Sequence, residues 1–289
     1  MKVAIIGGSG EMGRWCASFL SKEGKEVVIT GRNEEKLLKA KQELGVDVAT
    51  NADAVKSADV ILISVPMDNF EPVVQEIQPY IRPEQVVIEI ASIKVIPSEI
   101  MHRHIKAGLT LGVHPMFGPG AKSVANQNFI LTPTNEEEAA LAQKAREYLE
   151  QREARVTLLT PQEHDEMMAV ILGLSHFIGI VSADTLLSLG SLKQMEALGG
   201  TTYRLLLTLV GSVLSEDPDF YASLQMNLPN MAKIEALFER NSKTWADLVK
   251  NNDRRQFVHR LNILKDKLGK DMPDFEKAYQ NMYKILEVL

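Results

Sequence analysis

Lys2-Val3-Ala4-Ile5-Ile6-Gly7-Gly8-Ser9-Gly10-Glu11-Met12-Gly13 opens the chain with a short apolar run, a glycine-rich turn and residues suited to the first turn of a helix. Within it Gly8, Ser9, Gly10, Glu11, Met12 and Gly13 have the spacing GxGxxG. Glycine is common in turns, so the spacing alone says little; its place between a strand and a helix gives it meaning. There one glycine permits the tight turn, one lets a pyrophosphate approach the backbone, and one lets helix pack on strand. The phosphates then meet free N–H groups and the positive end of the helix dipole. The stretch predicts an α/β fold that binds a dinucleotide.

The rest of the first half repeats the theme. Apolar runs over residues 2–6, 26–30, 60–64, 86–90, 110–113, 129–132 and 155–159 alternate with helix-like segments, the pattern of strand-helix-strand units in a mainly parallel sheet. After Thr160-Pro161-Gln162-Glu163, which offers an N-cap threonine, a proline in the first helical position and an acid at the third, the chain reads as helix upon helix. Further starts or stops are expected at Asp217-Pro218, Leu228-Pro229, Asp253, Gly269 and Pro273. The expected organisation is a Rossmann-type dinucleotide-binding domain over 1–160 and an all-helical domain over 161–289.

The totals bound the function. A chain of 289 residues with 45% hydrophobic content can bury a substantial core. Its net charge of -6, with no long run of Lys or Arg, argues against nucleic acid or an anionic membrane as partner, so a small anionic ligand must be met by local positive groups. The one cysteine, Cys16, cannot form an internal disulfide, which fits a reducing compartment, and it reads as a small packing residue. The N-terminus is too short in its apolar part for a signal peptide, and no stretch approaches the roughly 20 apolar residues of a membrane span. A cytoplasmic protein is expected.

Cofactor choice turns on the end of the second strand, Val27-Val28-Ile29-Thr30-Gly31-Arg32-Asn33. NAD sites usually place an acid there, whereas an arginine can pair with the extra phosphate of NADP. Arg32 favours NADP over NAD. The other arrangement makes Arg32 a solvated loop residue and has Glu34 or Glu35 reach the ribose, although Asn33-Glu34-Glu35 looks like a helix start. Ligands of an open parallel sheet bind outside the carboxyl ends of its strands. On that edge lie Ser64 and Pro66 after the third predicted strand, Ser92 and Lys94 after the fourth, and His114, which follows Thr110-Leu111-Gly112-Val113. Pro115 restricts His114 to extended backbone and so fixes where the imidazole points. Ser92 is an expected hydrogen-bond neighbour of His114; the alternatives are an ordinary helix cap and a polar loop histidine.

In the second half Arg204 interrupts Tyr203-Arg204-Leu205-Leu206-Leu207-Thr208-Leu209-Val210. A guanidinium facing an apolar core needs an anion, either a protein acid across a helix interface or a substrate carboxylate. His164 and His176 are twelve positions apart on one predicted helix, about 18 Å of rise, so they cannot share one small site on a straight helix. Each is as readily a structural histidine as a ligand-facing one. His102 and His104, two apart on a helix, point in nearly opposite directions and read as surface residues. No Cys, His and carboxylate cluster has metal-ligand spacing, so no metal is expected.

These residues resemble a known family. HPMFGP at His114–Pro119 with ASIK at Ala91–Lys94 is similar to the prephenate dehydrogenases, and the likeness continues through Glu163-His164-Asp165, Ser175-His176-Phe177, Tyr203-Arg204-Leu205 and Asp217-Pro218-Asp219-Phe220-Tyr221, particularly to bacterial enzymes fused to chorismate mutase. The cofactor strand begins at Lys2, so no mutase domain is expected before residue 1. The resemblance implies that His114 accepts the proton of the prephenate ring hydroxyl while hydride leaves the same carbon for the nicotinamide. Carbon dioxide then departs and 4-hydroxyphenylpyruvate forms. A neutral histidine suits that task, with an unperturbed pKa of about 6.5. Ser92 would orient His114 or the hydroxyl, Arg204 would clamp a carboxylate through two parallel hydrogen bonds, His176 would line the site, His164 would contact substrate, cofactor or the interface, and Lys94 would touch substrate, cofactor or only an acid on the surface. A homodimer through the helical domain is implied. Arogenate dehydrogenase shares these motifs, another small hydroxyacid dehydrogenase shares the two-domain plan, and a non-catalytic sensor of the cofactor is the reading from another class.

Overall fold

The computed structural model describes residues 1–272 and 274–287. The chain divides into two compact units, Met1–Met168 and Ala169–Leu289. The first is built on one sheet of β1 (Lys2–Ile6), β2 (Glu26–Ile29), β3 (Asp47–Val48), β4 (Val60–Ile63), β5 (Val86–Glu89), β6 (Leu109–Pro115), β7 (Asn128–Thr132) and β8 (Arg155–Leu158). Their order is β3-β2-β1-β4-β5-β6-β7-β8, parallel throughout except between β6 and β7. The expected α/β class with a mainly parallel sheet is therefore observed.

Helices cover both faces, which is why the strands are apolar along their length instead of alternating with polar residues. Side chains of β1 show the two layers. Ile6 packs with Ile61, Ile63, Phe70 and Val74 on one face, and Ile5 packs with Val27, Ile29 and Leu37 on the other. Strand β3 was not expected; two residues carry no periodicity to read. The chain order reverses between β1 and β4, which opens the crevice where ligands of such sheets bind.

Strand β6 continues past the end of β5, whose last pair is Glu89 with Gly112. Val113, His114 and Pro115 instead pair with Leu131, Ile130 and Phe129 of the antiparallel β7. His114 thus lies within a strand, not just beyond one, and ladder pairing holds its backbone on the carboxyl edge.

At the end of the first unit, Thr160 and Glu163 form the predicted capping box: the Thr160 amide and hydroxyl donate to the Glu163 carboxylate at 2.9 and 2.8 Å, and the Glu163 amide donates to the Thr160 hydroxyl at 3.2 Å. The helix Pro161–Met168 follows, and a π-helical turn over Ala169–Leu174 links it to Ser175–Leu189. Together they make a 29-residue run long and apolar enough to span a bilayer by length and composition, contrary to the sequence reading, because the π-turn fuses shorter apolar stretches into one helix. A core helix of a protein outside any membrane passes the same test.

In the second unit, Asp217 and Asp253 cap the helices Pro218–Asn227 and Arg254–Asp271 by accepting the amides of Asp219 and Gln256. Gly269 does not stop its helix as expected. It sits inside Arg254–Asp271, where a Cβ would come within 3.1 Å of the Phe275 ring, so the missing side chain makes room for an aromatic contact. Pro273 lies outside the described residues.

Candidate active site

The glycine turn is shaped for a pyrophosphate. Gly7 has φ +84 and sits so close to the end of β4 that a Cβ would fall 2.2 Å from the Ser64 carbonyl oxygen. A Cβ on Gly13 would strike the Gly7 carbonyl oxygen at 2.5 Å, so this glycine serves helix-strand packing. Above Gly10 the space is open, with only that same oxygen within 4 Å. Gly10 caps the helix Glu11–Lys22 without a side chain, and the first backward bond is made by Arg14 to the Gly10 carbonyl. The N–H groups of Glu11, Met12 and Gly13 therefore find no acceptor among the described residues and converge on that open space.

The neighbouring groups fit the remainder of a dinucleotide. Thr30, at the end of β2, is buried with Oγ1 unpartnered. Arg32 follows and donates to Asn69 Oδ1 at 3.0 Å. Asn33 accepts the Lys36 amide and caps the next helix, which leaves Glu34 and Glu35 in its first turn. Ser64 and Val65, at the end of β4, border the turn, and Pro66 follows them. Trp15, on the helix that the glycine turn opens, donates to the Ala121 carbonyl at 2.6 Å and meets Phe117 edge-on, pinning the loop after β6.

His114 is 4% exposed and lies at the centre of a buried polar chain. Its Nδ1 is 2.8 Å from His164 Nε2, and His164 Nδ1 is 2.7 Å from Asp165 Oδ1. Asp165 in turn accepts the Lys94 amide at 2.7 Å and the Val95 amide at 2.9 Å. Burial pushes the His114 imidazole well below its usual pKa, and the neighbouring Lys94 charge adds to this. His164 is also lowered, by burial first, against the opposing effect of the hydrogen bond it donates to Asp165. Both rings are therefore held neutral at pH 7.

The partner of His114 is thus His164 and not Ser92, which makes no side-chain hydrogen bond among the described residues. Lys94 departs further from expectation. Its Nζ lies 2.5 Å from Glu89 Oε1, so of its expected partners it meets an acid, but both side chains are fully buried and not at the surface. Glu89 also accepts the Ala91 amide at 2.7 Å, and the pair braces the loop that carries Ser92. Burial raises the Glu89 carboxyl and lowers the Lys94 ammonium, and the attraction between the two opposes both shifts. Cys16 is buried with its thiol pushed up to about 12, an inert packing residue.

Arg204 and His176 belong to the second unit. Arg204 is exposed near the start of the helix Thr201–Leu214 and pairs with no acid among the described residues, so the interhelical salt bridge is not made. Beside it Tyr203 has a buried, unpartnered hydroxyl. His176 meets Tyr221 edge-on at 4.9 Å, with Nδ1 buried and unpartnered. His102 and His104 hydrogen-bond to Glu138 and Glu71, each at 2.7 Å, and no metal cluster occurs among the described residues.

Asp165, Glu89 and Thr30 were not singled out from the sequence. Glu89 had a readable signal, a lone acid ending the apolar run Val86-Val87-Ile88. Asp165 had none, since one acid beside a histidine in a polar helical turn is ordinary.

Two family models match the chain. The nucleotide-binding domain of prephenate dehydrogenase matches residues 16–158, and the prephenate dehydrogenase dimerization domain matches 160–263. A probable arogenate/prephenate dehydrogenase of Methanocaldococcus jannaschii is 34% identical over 89% of this chain, which spans 59% of that relative's length. The T-protein of Enterobacter agglomerans is 30% identical over 92% of this chain and 67% of its own length. In fold, the chain is similar to the prephenate dehydrogenase of Aquifex aeolicus in complex with hydroxyphenyl propionate and NAD+, with a TM-score of 0.76 at 20% identity, covering 93% of this chain and 98% of that one. It is also similar to the arogenate dehydrogenase of Synechocystis, with a TM-score of 0.69 at 22% identity, covering 95% and 100%. On the strength of both matched domains, this chain belongs to the prephenate dehydrogenase family.

Proposed function

We propose that this chain is a nicotinamide-dependent dehydrogenase that oxidatively decarboxylates prephenate to 4-hydroxyphenylpyruvate, a step of tyrosine biosynthesis. The observation that carries the reading is His114: a neutral, buried imidazole on the carboxyl edge of the sheet that also bears the dinucleotide turn. When bound, the nicotinamide supplies the hydride acceptor. His114 takes the proton of the ring hydroxyl at Nε2, Ser92 orients that hydroxyl, and exclusion of water around the buried His114 and His164 keeps the base neutral. Loss of carbon dioxide then makes the ring aromatic. Arg204, whose guanidinium meets no acid among the described residues, clamps a substrate carboxylate, and His176, whose Nδ1 is unpartnered among them, contributes a further polar contact. In this division of labour the part over 1–160 holds the cofactor and the part over 161–289 holds substrate and the subunit interface.

NADP is favoured over NAD because Arg32 follows the second strand, where an arginine can pair with the extra phosphate, and it spends only Nη1 on Asn69. The Aquifex aeolicus relative is described with NAD+, so the preference is this chain's own expectation, and Arg32→Ala is predicted to shift the cofactor ratio toward NAD by about tenfold. A homodimer through the helical unit is favoured by its exposed apolar side chains and by the description of the matched domain. The lone buried cysteine suits the cytoplasm, and neither nucleic acid nor membrane is needed.

The test is the initial rate of nicotinamide reduction by the purified protein with prephenate and with arogenate, each with NAD and with NADP. Reduction with prephenate yielding 4-hydroxyphenylpyruvate supports the reading. Reduction only with arogenate keeps the mechanism and moves the substrate, and no reduction in any mixture overturns it.

A further inference from the structure

The hydrogen bonds around His114 admit one arrangement of protons. Asp165 sets it. Its Oδ1 and Oδ2 accept the Lys94 and Val95 amides, and a backbone amide can only donate. The carboxylate is therefore the acceptor at each oxygen, and His164 Nδ1, 2.7 Å from Oδ1, is the donor. A neutral imidazole has one N–H, so His164 Nε2 carries a lone pair. The nitrogen 2.8 Å from it, His114 Nδ1, must then hold the proton. By the same count His114 Nε2 is bare, and it finds no hydrogen-bond partner among the described residues.

We propose that His164 and Asp165 are positioning residues that lock neutral His114 in its Nδ1–H tautomer, leaving Nε2 as the proton acceptor. The arrangement needs both rings neutral. Burial and the Lys94 ammonium disfavour charge on either ring, while Glu89 stays engaged with Lys94 and Asp165 is turned toward His164. The same carboxylate ties down the amides of Lys94 and Val95, so one side chain fixes both the tautomer of His114 and the loop bearing Ser92. Only the kinetic consequence rests on the proposed dehydrogenase reading; the tautomer belongs to the folded chain with or without substrate.

The experiment is long-range proton–nitrogen correlation NMR on the full chain labelled in its histidine rings, between about pH 6 and 9. The His114 signals are assigned by their loss in His114→Asn. A protonated Nδ1 with a bare Nε2 on His114 is expected in the unsubstituted protein. Asp165→Leu should convert part or all of His114 to the Nε2–H tautomer, because it removes the acceptor that keeps the proton of His164 on Nδ1. Its turnover should fall about 10²- to 10⁴-fold with cofactor affinity nearly unchanged. If Asp165→Leu does not fold, His164→Gln and His164→Leu replace it. The glutamine can still accept from His114 Nδ1 and should retain the tautomer and more of the activity, whereas the leucine should lose both. An Nε2–H tautomer in the unsubstituted protein, or an unchanged tautomer in Asp165→Leu or His164→Leu, overturns the proposal. The expected tautomers in a protein that turns over neither prephenate nor arogenate support the lock and overturn the dehydrogenase reading instead.

Discussion

The two units of this chain solve the burial of apolar surface differently. In the first, Val3, Ala4, Ile5 and Ile6 are each at most 2% exposed, closed between helices on both faces of the sheet. In the second, Leu198 is 89% exposed, Met226 82% and Leu189 70%. A monomer seldom leaves so much large apolar surface in water. The first unit completes its own core and can therefore hold a network of buried polar groups to fixed distances. The exposed apolar side chains of the helical unit are what the second copy proposed above would cover.

Chemistry and binding should separate along the same line. The largest expected effect is in the first unit: His114→Asn should lower kcat about 10²- to 10⁴-fold while cofactor affinity holds, read by steady-state rates and cofactor titration. In the second unit, Arg204→Lys keeps the charge but loses the two-pronged grip. It should raise KM for substrate about 10- to 100-fold with cofactor binding intact, and an unchanged KM would remove Arg204 from the substrate site. Leu187→Asp places a charge on an exposed apolar helix face. Sedimentation should show the dimer weakened about tenfold or more; a monomer at micromolar concentration without the substitution would remove the second copy from the account.

The smallest effect concerns acid. His114 and His164 have folded-state values below the ordinary histidine value of about 6.5, so on acidification the unfolded chain takes up protons first. Stability should therefore fall as pH drops below about 6.5, by about 1.4 kcal/mol per pH unit for each proton withheld, and level off below the folded-state values. Denaturant melts across that range check the sign. A His164→Leu variant should show the shallower slope.

How much could be read beforehand varied with the range of the interaction. The glycine turn, the Thr160–Glu163 capping box and the aspartate caps at 217 and 253 were legible because each is satisfied within a few residues. His114 was legible as a residue of the sheet edge, since strand ends can be located from apolar runs. Its partner was not: His164 lies 50 positions away, beyond the helix Glu136–Glu150 and β8, while Ser92 was the nearer guess. The burial of Lys94 was illegible for the same reason. Nothing local tells a lysine that its acid is Glu89, at the end of the preceding strand and closed off from water.

From the sequence alone came the order of strands and helices, the dinucleotide turn and the edge on which chemistry would sit, all consequences of short-range sterics and of the periodicity with which apolar residues must face a core. Tertiary structure decided which charges are buried and which nitrogen of His114 carries the proton. Those depend on desolvation and on hydrogen bonds only a few ångströms long, which exist once distant segments are packed together and not before.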